Sequence, residues 1–286
     1  MIPFVREMTF DYGVVQRVSP RIRRVVANNP GPFTFLGTGT YIVGSGEVCV
    51  IDPGPQDEVH LAAIIAATEG EAITAIAITH SHIDHSPLAR PLAARTGAVI
   101  FGRSDSAKGS AEEDSEAGFQ PDVEVADGQR LTAPDWTLEA ILTPGHASNH
   151  VCYALREENA LFSGDHIMGW STTIVSPPDG DMGDYYQSLD RIAARGFSTL
   201  WPTHGPPVTE PAPFIAAYRA HRLTREQQIL DQLALGPQKI IDLVTVLYAE
   251  VDKRLHPAAA RSVLAHLIHL ERQARVRKND DHYGLR

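Results

Sequence analysis

The chain has 286 residues, with apolar side chains at 43%, charged side chains at 21% and a formal net charge of −10. These proportions fit a soluble globular protein and exclude a disordered or fibrous one. No apolar run approaches a membrane span or a signal-peptide core, so no membrane is implied, the cytoplasm is the expected location, and the length predicts one large domain plus a small one.

Residues 14–26 carry Arg17, Arg21, Arg23 and Arg24 among valines, broken at Ser19-Pro20, and predict a strand with a solvated basic face; nucleic-acid contact is the minor reading of that face. Asn28-Asn29-Pro30-Gly31-Pro32 predicts a turn. Residues 33–43 and 47–51 flank Gly44-Ser45-Gly46 as the arms of a hairpin. Asp52 ends the second arm, where it serves equally as a turn former or as an acceptor that orients a metal loop. Cys49 and Cys152 lie in apolar strand contexts and read as reduced core residues. Leu61, Ile64 and Ile65 give residues 59–67 a helical spacing, and the β-branched run 72–79 predicts a buried strand.

That strand delivers His80-Ser81-His82-Ile83-Asp84-His85. Three imidazoles and a carboxylate so close together repel or strain one another when charged, and a bound cation removes the conflict. His80 and His82 are two apart, so in extended chain both rings point to one side and can face one ion. Ser86-Pro87 predicts a helix start, with Leu88, Leu92 and Ala93 on the buried face and Pro91 delaying or kinking the helix.

Residues 98–101 predict a short strand, and 104–117, with Glu112-Glu113-Asp114, an acidic surface excursion bordering a site. Residues 123–125, 129–132 and 136–142 predict a meander. Thr143-Pro144-Gly145 forces a tight turn that presents His146. Strands at 151–155 and 161–163 follow, the second leading to Asp165-His166. Residues 167–184 are irregular, and Trp170, Ser171 and Thr172 within them either line a pocket or pack. A helix at 185–195 precedes a strand that delivers His204.

Composition changes at residue 211, dividing the chain into 1–210 and 211–286. The second part holds 12 Lys and Arg against 8 Asp and Glu, a balance of +4, which leaves 13 against 27, or −14, in the first. Helices at 213–235, 238–248 and 257–272, then a hairpin of 274–278 with 282–285, describe a winged-helix-like unit. With so small a positive balance, substrate positioning or dimerisation is favoured over DNA binding.

The candidate metal ligands are His80, His82, Asp84, His85, His146, Asp165 and His204, nitrogen and carboxylate donors that suit Zn2+, with Mn2+ or Fe as alternatives. Seven donors exceed one tetrahedral ion. They divide into His80, His82 and His146 on one metal and Asp84, His85 and His204 on the other, with Asp165 bridging. Two ions about 3.5 to 4 Å apart can share a water and lower its pKa. Asp84 and Asp165 are the candidate catalytic carboxylates. His150 and His166, beside this set, read as hydrogen-bonded structural residues more readily than as proton donors.

His80-x-His82-x-Asp84-His85, followed by His146, Asp165 and His204, resembles the metallo-β-lactamase superfamily. Asn29-Pro30-Gly31-Pro32, Thr143-Pro144-Gly145-His146, Gly164-Asp165-His166-Ile167-Met168-Gly169-Trp170 and the tail resemble its β-lactamase-like protein 2 group. The resemblance implies an α/β fold, the αββα metallo-β-lactamase sandwich with a C-terminal winged-helix-like domain and the metals at one edge of its two sheets. Ser86-Pro87 departs from the Gly-Gly that many superfamily members carry nearby. Some members of the group are single-strand-selective endoribonucleases, and others are known only as metal-dependent hydrolases. Phosphodiester cleavage in single-stranded RNA is therefore the leading expectation. Hydrolysis of a small-molecule ester, thioester or lactam, which suits the −14 better, is the alternative. A DNA-binding ligand sensor is the third reading, resting on Arg261 and Arg272 of the last helix. A homo-oligomer is compatible with all three.

Overall fold

The computed structural model describes residues 2–105 and 118–286. The acidic run Glu112-Glu113-Asp114 lies outside the described residues. Seven strands form one sheet in chain order: β1 (Gln16–Arg17), β2 (Ile22–Val26), β3 (Gly39–Val43), β4 (Glu47–Ile51), β5 (Ala72–Ala77), β6 (Val99–Gly102) and β7 (Val123–Glu124). Pairing is antiparallel from β1 to β4 and parallel from β4 to β7. Helices α1 (Glu58–Ala67) and α2 (Ala89–Thr96) make the crossovers to β5 and β6. The second sheet holds β8 (Arg130–Ala133), β9 (Trp136–Leu142), β10 (Val151–Leu155), β11 (Ala160–Gly164) and β12 (Thr199–Pro202), in the order β12-β11-β10-β9-β8.

The period-two alternation of the strands sorts side chains into three apolar layers. Tyr41, Cys49 and Ile51 face Leu138, Tyr153 and Phe162 between the sheets. Ile42, Val48 and Val50 point the other way, onto Leu61 and Ile64 of α1 and Leu92 of α2. Cys152 and Leu161 meet Tyr185, Leu189 and Ile192 of α3 (Met182–Ala193) and Phe214 and Ile215 of α4 (Pro211–Leu233). The order of layers is αββα. Cys49 and Cys152 are both free and buried, as expected of core residues.

The far end of α4 turns to a fourth core. Ile229, Leu230 and Leu233 pack with Leu243 and Val244 of α5 (Ile240–Leu247), Val263, Leu267 and Leu270 of α6 (His256–Arg272), and Val276 and Tyr283 of the hairpin β13 (Val276–Asn279) and β14 (His282–Leu285). This is the winged-helix unit. Helix α4 serves two cores, so a division at 210/211 falls at the start of a helix that both units share.

Residues 33–38 are not strand: Gly31 and Phe35 exchange backbone hydrogen bonds and Phe35 takes a left-handed φ of 58°, which folds the segment into a turn ahead of β3. Val123 does not open a meander, because β7 closes the edge of the first sheet and the chain crosses to the second sheet at β8. Helix α2 starts at Ala89 rather than at Ser86-Pro87, which places Pro91 in the first turn, where a missing N–H is harmless. Helix α3 starts at Met182, a turn earlier than expected, because the Asp181 side chain accepts from the N–H groups of Gly183 and Asp184. The basic face of β2 is not solvated, since Arg23 pairs with Glu71 at 2.7 Å and Arg24 is buried.

Phe162, 1% exposed, fills the space between the sheets. Phe162→Ala is expected to lower the free energy of unfolding by about 3–5 kcal/mol. Val59, 77% exposed on α1, serves as contrast: Val59→Ala should shift it by less than about 0.5 kcal/mol in the same denaturant titration.

Candidate metal centre

Every candidate ligand follows the C-terminal end of a strand. The segment carrying His80, His82, Asp84 and His85 leaves β5 of the first sheet, whereas His146, Asp165 and His204 follow β9, β11 and β12 of the second. The packed sheets therefore bring all seven to one shared edge. Two glycines shape this delivery. Gly145, with φ of 141°, lies so close to α3 that a Cβ there would stand 2.4 Å from Tyr185 Cα. At Gly164 a Cβ would stand 2.6 Å from His150 Nε2.

His80 Nε2 lies 2.9 Å from His82 Nδ1, and His146 Nε2 lies 3.2 Å from the same atom. A tetrahedral zinc with Zn–N distances of about 2.0–2.1 Å has N···N edges of about 3.3 Å, so these three nitrogens stand close to the spacing that one ion requires. On the other side His204 Nε2 is 3.0 Å from Asp84 Oδ2, and His85 Nε2 is 3.6 Å from that oxygen. Asp165 turns one oxygen to each group. Its Oδ1 lies 3.4 Å from His204 Nε2 and 3.6 Å from His85 Nε2, and its Oδ2 lies 3.9 Å from His146 Nε2. His85 Nε2, His204 Nε2 and Asp165 Oδ1 are buried without a hydrogen-bond partner among the described residues, a costly condition that a shared cation relieves. The donor set fits a divalent metal.

The opposite ring nitrogens are fixed. His85 Nδ1 donates to Asp52 Oδ2 at 2.8 Å, His146 Nδ1 to the Ile174 carbonyl at 2.6 Å and His204 Nδ1 to the Gly37 carbonyl at 3.3 Å. His80 Nδ1 meets the Thr79 hydroxyl at 3.0 Å, and that hydroxyl donates onward to Asp52 Oδ2 at 2.7 Å. Such bonds set the tautomer and aim Nε2 at the site. Asp52 is at once the turn former, with φ of 47°, and the acceptor, because Thr79 N–H and the Thr203 hydroxyl also donate to it.

Charge divides the cluster the same way. Burial and then the surrounding histidines hold His80 and His82 well below the usual histidine range, so both are neutral donors. Burial opposes a charge on His85 as well, but Asp84, Asp165 and Asp52 outweigh it and raise its pKa to about 10. A proton and a metal ion thus compete for the carboxylate side.

His150 is structural in the way expected and more specific than expected. Its Nε2 accepts the Asp165 N–H at 3.2 Å, and its Nδ1 meets the Thr143 hydroxyl at 2.8 Å. His166 stays outside the donor groups, its ring 4.9 Å from that of Tyr185, and against expectation neither ring nitrogen has a hydrogen-bond partner among the described residues. Thr173 carries no signal in the sequence, yet its hydroxyl donates to the Asp165 carbonyl at 2.8 Å. Besides His150, Asp52 carries a sequence signal, as a carboxylate ending a buried strand. The partners Thr79, Thr203, Ile174 and Gly37 are ordinary residues whose value comes from the fold.

Beside the ligands opens a cavity of about 610 Å3. Trp170, Ser171 and Thr172 line it together with residues of α4 and α6. Arg272 is engaged by Asp181 and Arg261 faces the cavity, so the two cations on which DNA reading rested are turned to the catalytic unit.

Two packed sheets with helices outside and a histidine–aspartate cluster at their edge define a divalent-metal hydrolase. The metallo-beta-lactamase superfamily model matches residues 34–204, and the chain belongs to that superfamily. The beta-lactamase associated winged helix domain matches residues 240–284. The chain is similar to an atrochrysone carboxyl ACP thioesterase of Aspergillus chevalieri, with 36% identity covering 87% of this chain and 77% of that protein. It is also similar to the Beta-lactamase-like protein 2 homolog of Drosophila melanogaster, with 34% identity covering 92% of each. Among solved structures, a beta-lactamase domain protein from Burkholderia ambifaria shares the fold with a TM-score of 0.83 at 19% identity, covering 100% of this chain and 97% of that one. Among the described residues no helix is long and apolar enough to cross a membrane.

Asp52→Asn keeps the size of the side chain but removes the carboxylate that holds His85. Metal affinity should fall about 10- to 100-fold, read by competition with a chromogenic chelator. Gly164→Ala should act on Asp165 through His150 and lower both metal affinity and melting temperature. Unchanged affinity in both variants would separate Asp52 and His150 from the metal centre.

Proposed function

We propose that the chain is a dinuclear metallohydrolase acting on small-molecule thioesters or related esters. His80, His82 and His146 hold one divalent ion, Asp84, His85 and His204 the other, and Asp165 reaches both. Zn2+ suits these donors best, with Mn2+ or Fe as alternatives. When bound, the ions polarise the scissile carbonyl and lower the pKa of a water. The protein's own groups do the rest. Asp84, whose side chain is 22% exposed and reaches the cavity, takes the proton of the attacking water. Asp165 is held in place through its main chain, by its N–H to His150 and its carbonyl to Thr173. The water oxygen bonds to the carbonyl carbon, the carbon–sulfur bond breaks, and the departing sulfur takes up the proton.

The observation that carries this reading is the arrangement of unpartnered donors at a cavity of about 610 Å3 with Phe33, Met168, Trp170 and Leu255 in its walls. That size and lining fit an acyl group. A relative named a thioesterase supports the same substrate class. The single-stranded RNA reading gains no comparable support from the names of these relatives, and a polyanion must approach a catalytic unit of charge −14.

Metal-loaded protein should hydrolyse acyl thioesters and lose the activity to a chelator. Asp165→Ala should reduce kcat/KM by more than about a hundredfold, equivalent to roughly 3 kcal/mol of transition-state stabilisation. Cleavage of labelled single-stranded RNA that depends on Asp165, with no turnover of thioester, ester or lactam, would overturn the small-molecule reading.

A further inference from the structure

The cavity has two unlike sides. His82, Asp84, His146 and Asp165 stand on one, while α4, α6 and the segment between α5 and α6 make the other. On that second side lie Arg222 and Arg225 of α4 and Arg261 of α6. The other arginines of α4 and α6 are paired: Arg219 binds Asp190 and Arg272 binds Asp181. None of the three cavity arginines has a carboxylate within salt-bridge distance among the described residues.

Their contacts hold the guanidinium groups without neutralising them. Arg222, 4% exposed, donates to the Thr173 carbonyl and lies 5.3 Å over the Tyr185 ring. Arg225 donates to the Leu247 carbonyl at 2.8 Å and stacks 4.2 Å over Tyr248. The Nε of each is buried with no partner among the described residues. Arg261 is exposed at the cavity. Burial, then Arg222 and Arg225, push the neighbouring His221 down to about 4, so the three arginines are the cationic groups of this wall. Uncompensated charge in a half-buried wall is unfavourable unless a ligand supplies the counter-charge. A planar guanidinium matches a carboxylate or phosphate.

We propose that the cavity selects thioesters bearing an anionic group, a carboxylate or a phosphate ester, which Arg225 and Arg261 bind with Arg222 behind them while the carbonyl lies at the metal centre. The winged-helix unit thereby sets substrate specificity. This deepens the thioester reading and rests on it, so its test is a binding measurement independent of turnover.

Non-hydrolysable thioethers of one chain length are titrated calorimetrically into the metal-loaded full chain. One has a terminal carboxylate on N-acetylcysteamine, one a terminal carboxamide on the same thiol, and one an uncharged chain on coenzyme A. At least one anionic thioether should bind roughly tenfold or more tightly than the carboxamide. Which one gains tells whether the anion belongs to the acyl part or to the thiol carrier. Arg261→Gln, at an exposed position, should shrink the advantage without endangering the fold. Arg225→Gln should shrink it further and Arg225→Lys restore part of it, with melting temperatures confirming folded protein. Equal or undetectable binding of all three ligands would overturn the proposal, as would an advantage that survives both Gln substitutions. Failure to hydrolyse any thioester would count against the parent reading and leave this comparison standing.

Discussion

The carboxylate of Asp52 accepts hydrogen bonds from the Thr79 N–H and hydroxyl, from His85 Nδ1 and from the Thr203 hydroxyl. Thr79 and His85 follow β5 of the first sheet, and Thr203 follows β12 of the second. One fully buried side chain thus ties the strand ends of both sheets at the edge where the candidate metal ligands emerge. A buried carboxylate is tolerated only when its oxygens are saturated, and here that saturation and the placement of His85 are the same set of bonds. The left-handed backbone at Asp52 is the conformation that turns its side chain back onto β5.

From that anchor the site is built outward. His80 is held through Thr79, His146 through Ile174, His204 through Gly37, and Asp165 through His150 and Thr173. All five supports lie outside the strands, and Ile174 and Thr173 lie between β11 and α3, so that loop is part of the candidate metal centre's framework. Arg222 ties that loop to α4 through the Thr173 carbonyl. Helix α4 in turn belongs to the winged-helix core. A continuous chain of contacts therefore connects the C-terminal unit with the ligands, and the unit closes the cavity as well as steadying it.

What could be read in the sequence was what depends on short spacing. The His80 to His85 motif, the tight turn before His146, the apolar runs of β10 and β11 and the three C-terminal helices follow from neighbours within one or two turns or strands. What escaped depends on distant partners. Arg23 looked solvated because Glu71, its partner, is remote in sequence, and β7 looked like part of a meander because sheet membership is decided by pairing across the fold. Asp52 is open between two roles in the sequence because the groups that donate to it follow two other strands, β5 and β12. The arginines at the cavity carry no motif at all, and their lack of counter-charge is visible only once α4 and α6 are placed beside the site.

The central claim is that seven side chains at this edge hold two ions. Anomalous diffraction from metal-loaded crystals, collected on both sides of the metal's absorption edge, tests it most directly. The expected map has two peaks about 3.5 to 4 Å apart, one among His80, His82 and His146 and one among Asp84, His85 and His204, with Asp165 reaching both. A single peak after full loading, or peaks away from these residues, would contradict the account.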